Sequence, residues 1–160
     1  MKSTIIIGND HGGYEAKLAL VKHLQERCVS VTDIGCHSAE IVRYPYYAAR
    51  VAGAIQRGEA DGGILICSTG IGMSIAANRF AGIRASLCTT SYMAAMTRQH
   101  NDSNVLCLGG KITGIYELIA IVDAWLDNEF IGGRHAISLG LISDIEMQRL
   151  DLDAADATSR

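Results

Sequence analysis

Five short apolar segments recur along this chain with room for one helix between each pair: STIIIG (3–8), VSVTDIG (29–35), GGILIC (62–67), IRASLC (83–88) and NVLCLG (104–109). They are rich in β-branched residues, and all but those ending in Cys67 and Cys88 close on glycine, so they read as five buried strands. The intervening stretches are amphipathic. YEAKLALVKHLQER (14–27) puts Ala16, Leu20 and Leu24 on one face with Ala19 beside them, and YPYYAARVAGAIQRG (44–58) has Pro45 where a first helical turn tolerates it. GMSIAANR and SYMAAMTRQH fit two more helices, IYELIAIVDAWLDNEF (115–130) a fifth, and residues from about 136 to 150 a sixth. Strands alternating with helices imply right-handed crossovers and a parallel sheet covered on both faces. The expected fold is α/β, a Rossmann-like three-layer α/β/α sandwich with a five-stranded parallel sheet and C-terminal helices.

A chain of 160 residues fits one domain, which at this size buries roughly two thirds of the surface its unfolded form exposes. That domain is expected over residues 1–150, with a polar, acidic tail at 151–160 that should fray. The formal charge is −3 and the basic residues are scattered, which argues against a nucleic-acid partner. No apolar run reaches the 18 residues of a membrane span, and the start MKSTIIIGNDHGG has too short an apolar stretch for a signal peptide, so the expected compartment is the cytoplasm. Five cysteines without a CxxC pair fit neither a disulfide framework nor a zinc site, and most should be reduced, buried thiols.

In open parallel sheets, ligands sit beyond the carboxyl ends of the strands. That rule selects GNDHGG after strand one, CSTGIG after strand three and GGK after strand five. Asp10 can accept a proton or orient a hydroxyl, and His11 can donate to an anion or shuttle a proton near neutral pH. Equally, Asp10 can cap the helix while the glycines make the turn. The run lacks the GxGxxG spacing of a dinucleotide site. In CSTGIGMSIAANR the strand should end at Cys67 and a helix begin near Gly72, so the amides of residues 69 to 74 can converge on an anion. The same helix start favours a thiolate at Cys67, although a glycine-rich turn beside a buried thiol is the plainer account. No Lys-Ser/Thr pair follows these glycines, so this is not a Walker loop.

TRQHNDSN (97–104) ends a helix at His100 and Asn101, where the macrodipole favours imidazolium and makes His100 a better general acid. Asn101 can also simply end the helix in left-handed backbone. Arg134 in GGRH and Lys111 in GGKITG can bind phosphate or pair with an acidic neighbour. His23 and His37 have no such context and read as solvated surface residues.

Taken in order, GNDHGGYEAK, YPYYAARVA, DGGILICSTGIGMSIAANRFAGIRA, RQHNDSNVLCLGGK, AIVDAWL and GGRH closely resemble the type B ribose-5-phosphate isomerases of the ribose/galactose isomerase superfamily, over residues 4 to about 149. The resemblance implies an enzyme that interconverts aldose and ketose phosphates without metal or organic cofactor. It implies a homodimer or homotetramer with each active site at a subunit interface. By motif match, Cys67 would move a proton between C1 and C2, and Thr69 with His100 would help open the sugar ring. Asp10 would contact the reacting hydroxyls, and Tyr44 would line the site. The amides of Gly70, Ile71, Gly72, Met73 and Ser74 would hold the enediolate oxygen. Asn101, from the partner subunit, would stabilise the same intermediate, and His11, Lys111 and Arg134 would gather around the phosphate.

The chemistry suits these residue types. A proton α to a carbonyl is removable only if charge on the neighbouring oxygen is stabilised as it forms, which preorganised amides do.

Two positions depart from the family pattern. Where GRHxxR is usual, this chain has Ser138 in place of the second arginine, and the usual DYP is RYP, with Arg43 for the acid. Both bear on the sugar more than on the reaction: related enzymes act on allose 6-phosphate, galactose 6-phosphate and four-carbon sugar phosphates. Two other classes compete. A non-catalytic sugar-phosphate binder would explain Ser138 but has no need of a positioned base. A thiol-redox protein would explain Cys67 near a helix start but lacks a resolving cysteine in CxxC spacing.

Overall fold

The computed structural model describes residues 3–152. Strand β1 (Thr4–Asn9) leads through a 3-10 turn (His11–Gly13) into α1 (Tyr14–Glu26). Then come β2 (Ser30–Asp33), α2 (Tyr44–Gln56), β3 (Gly62–Cys67), α3 (Ile71–Ala77), β4 (Ala85–Leu87), α4 (Ser91–Asn101), β5 (Val105–Gly109) and α5 (Ile115–Asp127). The sheet has the order β2-β1-β3-β5-β4, and every pairing is parallel.

Successive side chains of a strand point to opposite faces, and the two faces here have separate cores. Ile5, Ile7, Ile64, Ile66, Leu106 and Leu108 pack with Leu20 and Leu24 of α1, Ala94 of α4, and Ile121 and Trp125 of α5. Ile6, Leu65, Cys67, Val105 and Cys107 pack on the other face, with Ala48 and Val51 of α2 and Met73 and Ala77 of α3. This alternation decides where the thiol of Cys67 goes: toward α3, which begins four residues later. Trp125 is wholly buried, and its indole N–H donates to Ser103 Oγ at 2.8 Å. Truncating it to alanine would cost about 3–5 kcal/mol.

β3 coincides with its apolar run and β1 equals its run in length, whereas β2, β4 and β5 are shorter than theirs, and only three strands are interior to the sheet. β1, β3 and β5 are buried almost throughout, whereas β2 and β4, at the two edges, keep partly exposed side chains. An edge strand has a neighbour on one side only, so its apolar run does not imply full burial. Four of the cysteines are buried and Cys28 is exposed, all with free thiols. His23 is not merely solvated: its Nε2 lies 2.7 Å from Asp123 Oδ1, which also takes Arg27 Nη1 at 2.5 Å, tying α1 to α5. His37 is exposed.

By its contacts the chain divides after Phe130. In the second unit, Gly132 and Gly133 take positive φ, and α6 (Arg134–Glu146) follows two residues earlier than its apolar pattern indicated. None of its residues is buried, and Ile137, Leu141, Ile142 and Ile145 are all exposed. The tail expected from residue 151 lies outside the described residues from 153 onward. No helix among the described residues is long and apolar enough to cross a membrane.

Candidate active site

The carboxyl ends of β1, β3 and β5 are neighbours at the centre of the sheet, and their loops interlock. The amide of Asp10 donates to the Ile66 carbonyl at 3.1 Å, that of Gly110 to Cys67 at 2.8 Å, and that of Lys111 to Ser68 at 3.1 Å. A Cβ on Gly12 would stand 2.3 Å from Ser68 Oγ and 2.8 Å from its amide nitrogen, so the first and third loops touch only because residue 12 is glycine.

Cys67 is 5% exposed, and its Sγ accepts the amide proton of Gly70 at 3.0 Å. Gly70 stands at φ +78°, a left-handed backbone that glycine adopts without strain. Thr69 Oγ1 takes the Ile71 amide at 3.4 Å, and the Ser74 hydroxyl donates to the Ile71 carbonyl at 2.8 Å. The Ser74 amide bonds the Gly70 carbonyl at 3.1 Å, while those of Gly72 and Met73 take no acceptor among the described residues, as expected of a first helical turn. Tyr44 lies directly over this turn, since a Cβ on Gly72 would come 2.8 Å from its ring.

Three further thiols are buried. Burial pushes Cys88 up to about 11 and raises Cys107 further, and it raises Cys36 against hydrogen bonds with Ser38 and Asn9. Such groups stay protonated and inert.

Asp10 is buried, and its Oδ1 accepts the Gly12 amide at 2.8 Å, so it does cap the 3-10 turn while standing at the end of β1. His11 Nδ1 accepts the Val42 amide at 3.3 Å. An accepting Nδ1 leaves the ring proton of the neutral form on Nε2. Cys67, Thr69, the Gly70–Ser74 turn, Asp10, His11, Tyr44 and the backbone of Lys111 are therefore gathered at one end of the sheet.

His100 and Asn101 are at the other end. Helix α4 runs antiparallel to the strands, starting beyond the carboxyl end of β4 and finishing beside the amino end of β3, where the Asn104 carbonyl accepts the Gly63 amide at 2.9 Å. Between Gly63 and Cys67 lie four strand steps, on the order of 13 Å. One copy of the chain thus does not bring His100 and Asn101 to its own Cys67. Arg134 begins α6, in the second unit.

A family profile described as ribose/galactose isomerase matches residues 5–142. The chain belongs to the ribose/galactose isomerase family. It is 51% identical to ribose-5-phosphate isomerase B of Escherichia coli over 145 residues, covering 91% of this chain and 97% of that protein. Among solved structures, the Clostridium thermocellum ribose-5-phosphate isomerase B superimposes with a TM-score of 0.90 at 50% identity, covering 92% of this chain and 99% of the other. The Trypanosoma brucei type B ribose 5-phosphate isomerase gives 0.87 at 45% identity, covering 91% and 99%. The observed architecture is that of these isomerases.

Several residues around the isomerase-family loops escaped a reading by motif. Lys17 is 1% exposed, with Nζ 2.8 Å from Asp33 Oδ2, 3.0 Å from the Cys36 carbonyl and 5.3 Å from the centre of the Tyr14 ring. Asn9 is fully buried, and its Nδ2 donates to the Asp10 carbonyl at 2.8 Å and to Cys36 Sγ at 3.1 Å. Together they bind the segment after β2 to the Asp10 loop. The available signal was positional: Lys17 follows Ala16 and precedes Leu20 on the buried face of α1, and Asn9 ends the buried strand TIIIGN directly after its isoleucines and Gly8.

Proposed function

We propose that the protein is an aldose–ketose isomerase of sugar phosphates that interconverts ribose 5-phosphate and ribulose 5-phosphate through a cis-enediolate, with Cys67 as the carbon base. The observation that carries this reading is the Cys67 thiol set 3.0 Å from the Gly70 amide, directly before a helix turn with free amides and across the interlocked loops from Asp10. The named activity of the Escherichia coli relative supports the substrate.

In the open-chain aldose, the Cys67 thiolate takes the proton from C2. The electron pair forms the C1–C2 double bond, and the negative charge moves onto the C1 oxygen. Amides aimed at that oxygen stabilise it without reorganising. Cys67 then returns the proton to C1, and a proton passes from the C2 hydroxyl to the C1 oxygen, giving the ketose with no net loss or gain. Asp10, held rigid by the Gly12 amide, orients the reacting hydroxyls. Thr69 and His100 open the ring, and His11 and Lys111 take the phosphate. A positioned base of this sort contributes about 10²–10⁴-fold.

The separation of Cys67 from His100 and Asn101 supports a site assembled from two copies of the chain. So does a groove of about 390 Å³ beside edge strand β4, lined by Leu87, Tyr92, Met93, Met96 and Asn101 among others. The uncovered apolar stripe of α6 agrees with this, since monomers rarely expose a continuous apolar patch.

A second reading, a hexose or tetrose phosphate as substrate, is favoured by one observation. Arg43 precedes Tyr44 and follows Val42, both of which touch the site, and its exposed guanidinium has no ion-pair partner among the described residues. The test is to incubate the enzyme in D₂O with four-, five- and six-carbon aldose phosphates, measuring ketose formation and deuterium at the reacting carbon. Turnover and exchange greatest with ribose 5-phosphate support the first reading, preference for another chain length supports the second, and exchange on none rejects both.

A further inference from the structure

At the far end of α4, two arginines grip one short stretch of backbone. Asp102 caps the helix in the left-handed conformation, φ +44° and ψ +45°, which is uncommon for any residue with a side chain. Its Oδ2 receives Arg84 Nη2 at 2.9 Å and its Oδ1 receives Arg98 Nη1 at 2.9 Å. Arg84 Nε also reaches the carbonyls of Asn101 at 3.1 Å and Asp102 at 3.0 Å, and its amide donates to Asn104 Oδ1 at 2.8 Å. Arg98 Nη1 donates to the Ser103 carbonyl at 2.6 Å. Arg98 is itself buried, 5.9 Å from the centre of the Trp125 ring. Each residue from Asn101 to Asn104 is thus held by Arg84 or Arg98.

Ending a helix needs no such apparatus, because one glycine does it without burying charge. Part-exposed ion pairs such as Arg84–Asp102 are also a modest source of stability, and burying the Arg98 cation beside them adds little. What the cluster does is remove freedom from the residues immediately before it, and those are His100 and Asn101. The forked guanidinium of Arg84 matches the task, since it meets two carbonyls and a carboxylate at once, as a lysine ammonium cannot.

We infer that Asp102, clamped between Arg84 and Arg98, is a positioning residue for the isomerase reaction, fixing the last turn of α4 so that His100 and Asn101 meet the Cys67 site of a second copy in one orientation. This rests on the reading above, in which His100 and Asn101 serve that site.

The test is steady-state kinetics on ribose 5-phosphate with the full-length Asp102→Asn and Arg84→Lys proteins, alongside melting temperature and oligomeric state. Asparagine keeps the size and the tolerance of left-handed backbone but not the charge. If Asp102→Asn fails to fold, Arg84→Lys carries the same comparison. The expected result is a fall in kcat on the order of 100-fold, as for a catalytic group displaced by about 1 Å. KM should change less than about threefold, with assembly intact. Added to a His100→Ala/Asn101→Ala protein, Asp102→Asn should then cause no further loss. Unchanged kcat with a lowered melting temperature overturns the inference, as does a loss that simply adds to that of the double variant. Full activity in the His100→Ala/Asn101→Ala protein itself is a separate outcome, and it removes the reading beneath.

Discussion

The amide of Gly70 points back along the chain onto the sulfur of Cys67, 3.0 Å away, so the turn that starts α3 also holds the thiol. Replacing Cys67 by serine keeps that geometry with a hydroxyl that does not ionise near neutral pH. The Cys67→Ser protein should fold and assemble normally while kcat falls at least about 10²–10⁴-fold. Residual turnover within tenfold of the parent would assign the carbon base elsewhere.

Gly70 cannot be exchanged even for alanine without strain. At φ +78° a Cβ is disfavoured by about 1–2 kcal/mol. It would also stand 2.6 Å from Leu87 Cδ1 and 2.9 Å from the Leu108 carbonyl carbon. Gly70→Ala should lower the melting temperature by at least about 3 °C, at 2–4 °C per kcal/mol for a chain of this size. It should lower kcat as well; calorimetry and kinetics on the same sample check both.

If sites are shared between copies, inactive variants should rescue one another. Cys67→Ser and His100→Ala proteins, each nearly dead, should recover about a quarter of parental activity after mixing, unfolding and refolding together, because half the dimers are mixed and each has one intact site. No recovery, with mixed dimers demonstrated by mass spectrometry, would place both residues in one copy's site.

Arg43 sits between Val42, which bonds His11, and Tyr44, which covers Gly72. As an exposed cation at that rim it should draw in the phosphate, so Arg43→Ala should raise KM several-fold with kcat little changed, an effect that shrinks in added salt. An unaltered KM removes Arg43 from recognition.

Asp61 offers a test of stability against pH. Hydrogen bonds from Thr4, and then from Ser3, hold its carboxyl well below the usual carboxylate range. A depressed folded value means that this stabilisation is complete above the unfolded value near 4 and drains away as pH falls toward the folded one. The gap in melting temperature between the parent and Asp61→Ala should hold from pH 8 to 5 and narrow below about 4. A gap that stays constant down to pH 3 contradicts the assignment.

Much of the fold was legible because buried parallel strands and their helices carry different periods, so Ile5, Leu65 and Leu106 announce their elements alone. The short extents of β2 and β4 and their edge exposure were not, since these depend on which strand lies beside which, and β4 reaches its edge only because β5 intervenes. The loops holding Asp10, His11, Cys67 and Lys111 followed from the rule that sites lie past strand ends. Lys17 and the Asp102 clamp did not, because their meaning comes from partners 16 residues away for Lys17–Asp33 and 18 for Arg84–Asp102. His23 was misread for the same reason, its acid lying 100 residues on.

The strand order has a consequence for how the chain is made. β5, the last strand synthesised, is inserted between β3 and β4. Until residues 105–109 leave the ribosome, β4 has nothing to pair with, and the apolar strand that carries Cys67 stands as an open edge able to bond the wrong chain. Closure of the sheet and burial of the strand that carries Cys67 are therefore one late event, and a nascent chain stalled before β5 would be a template for aggregation.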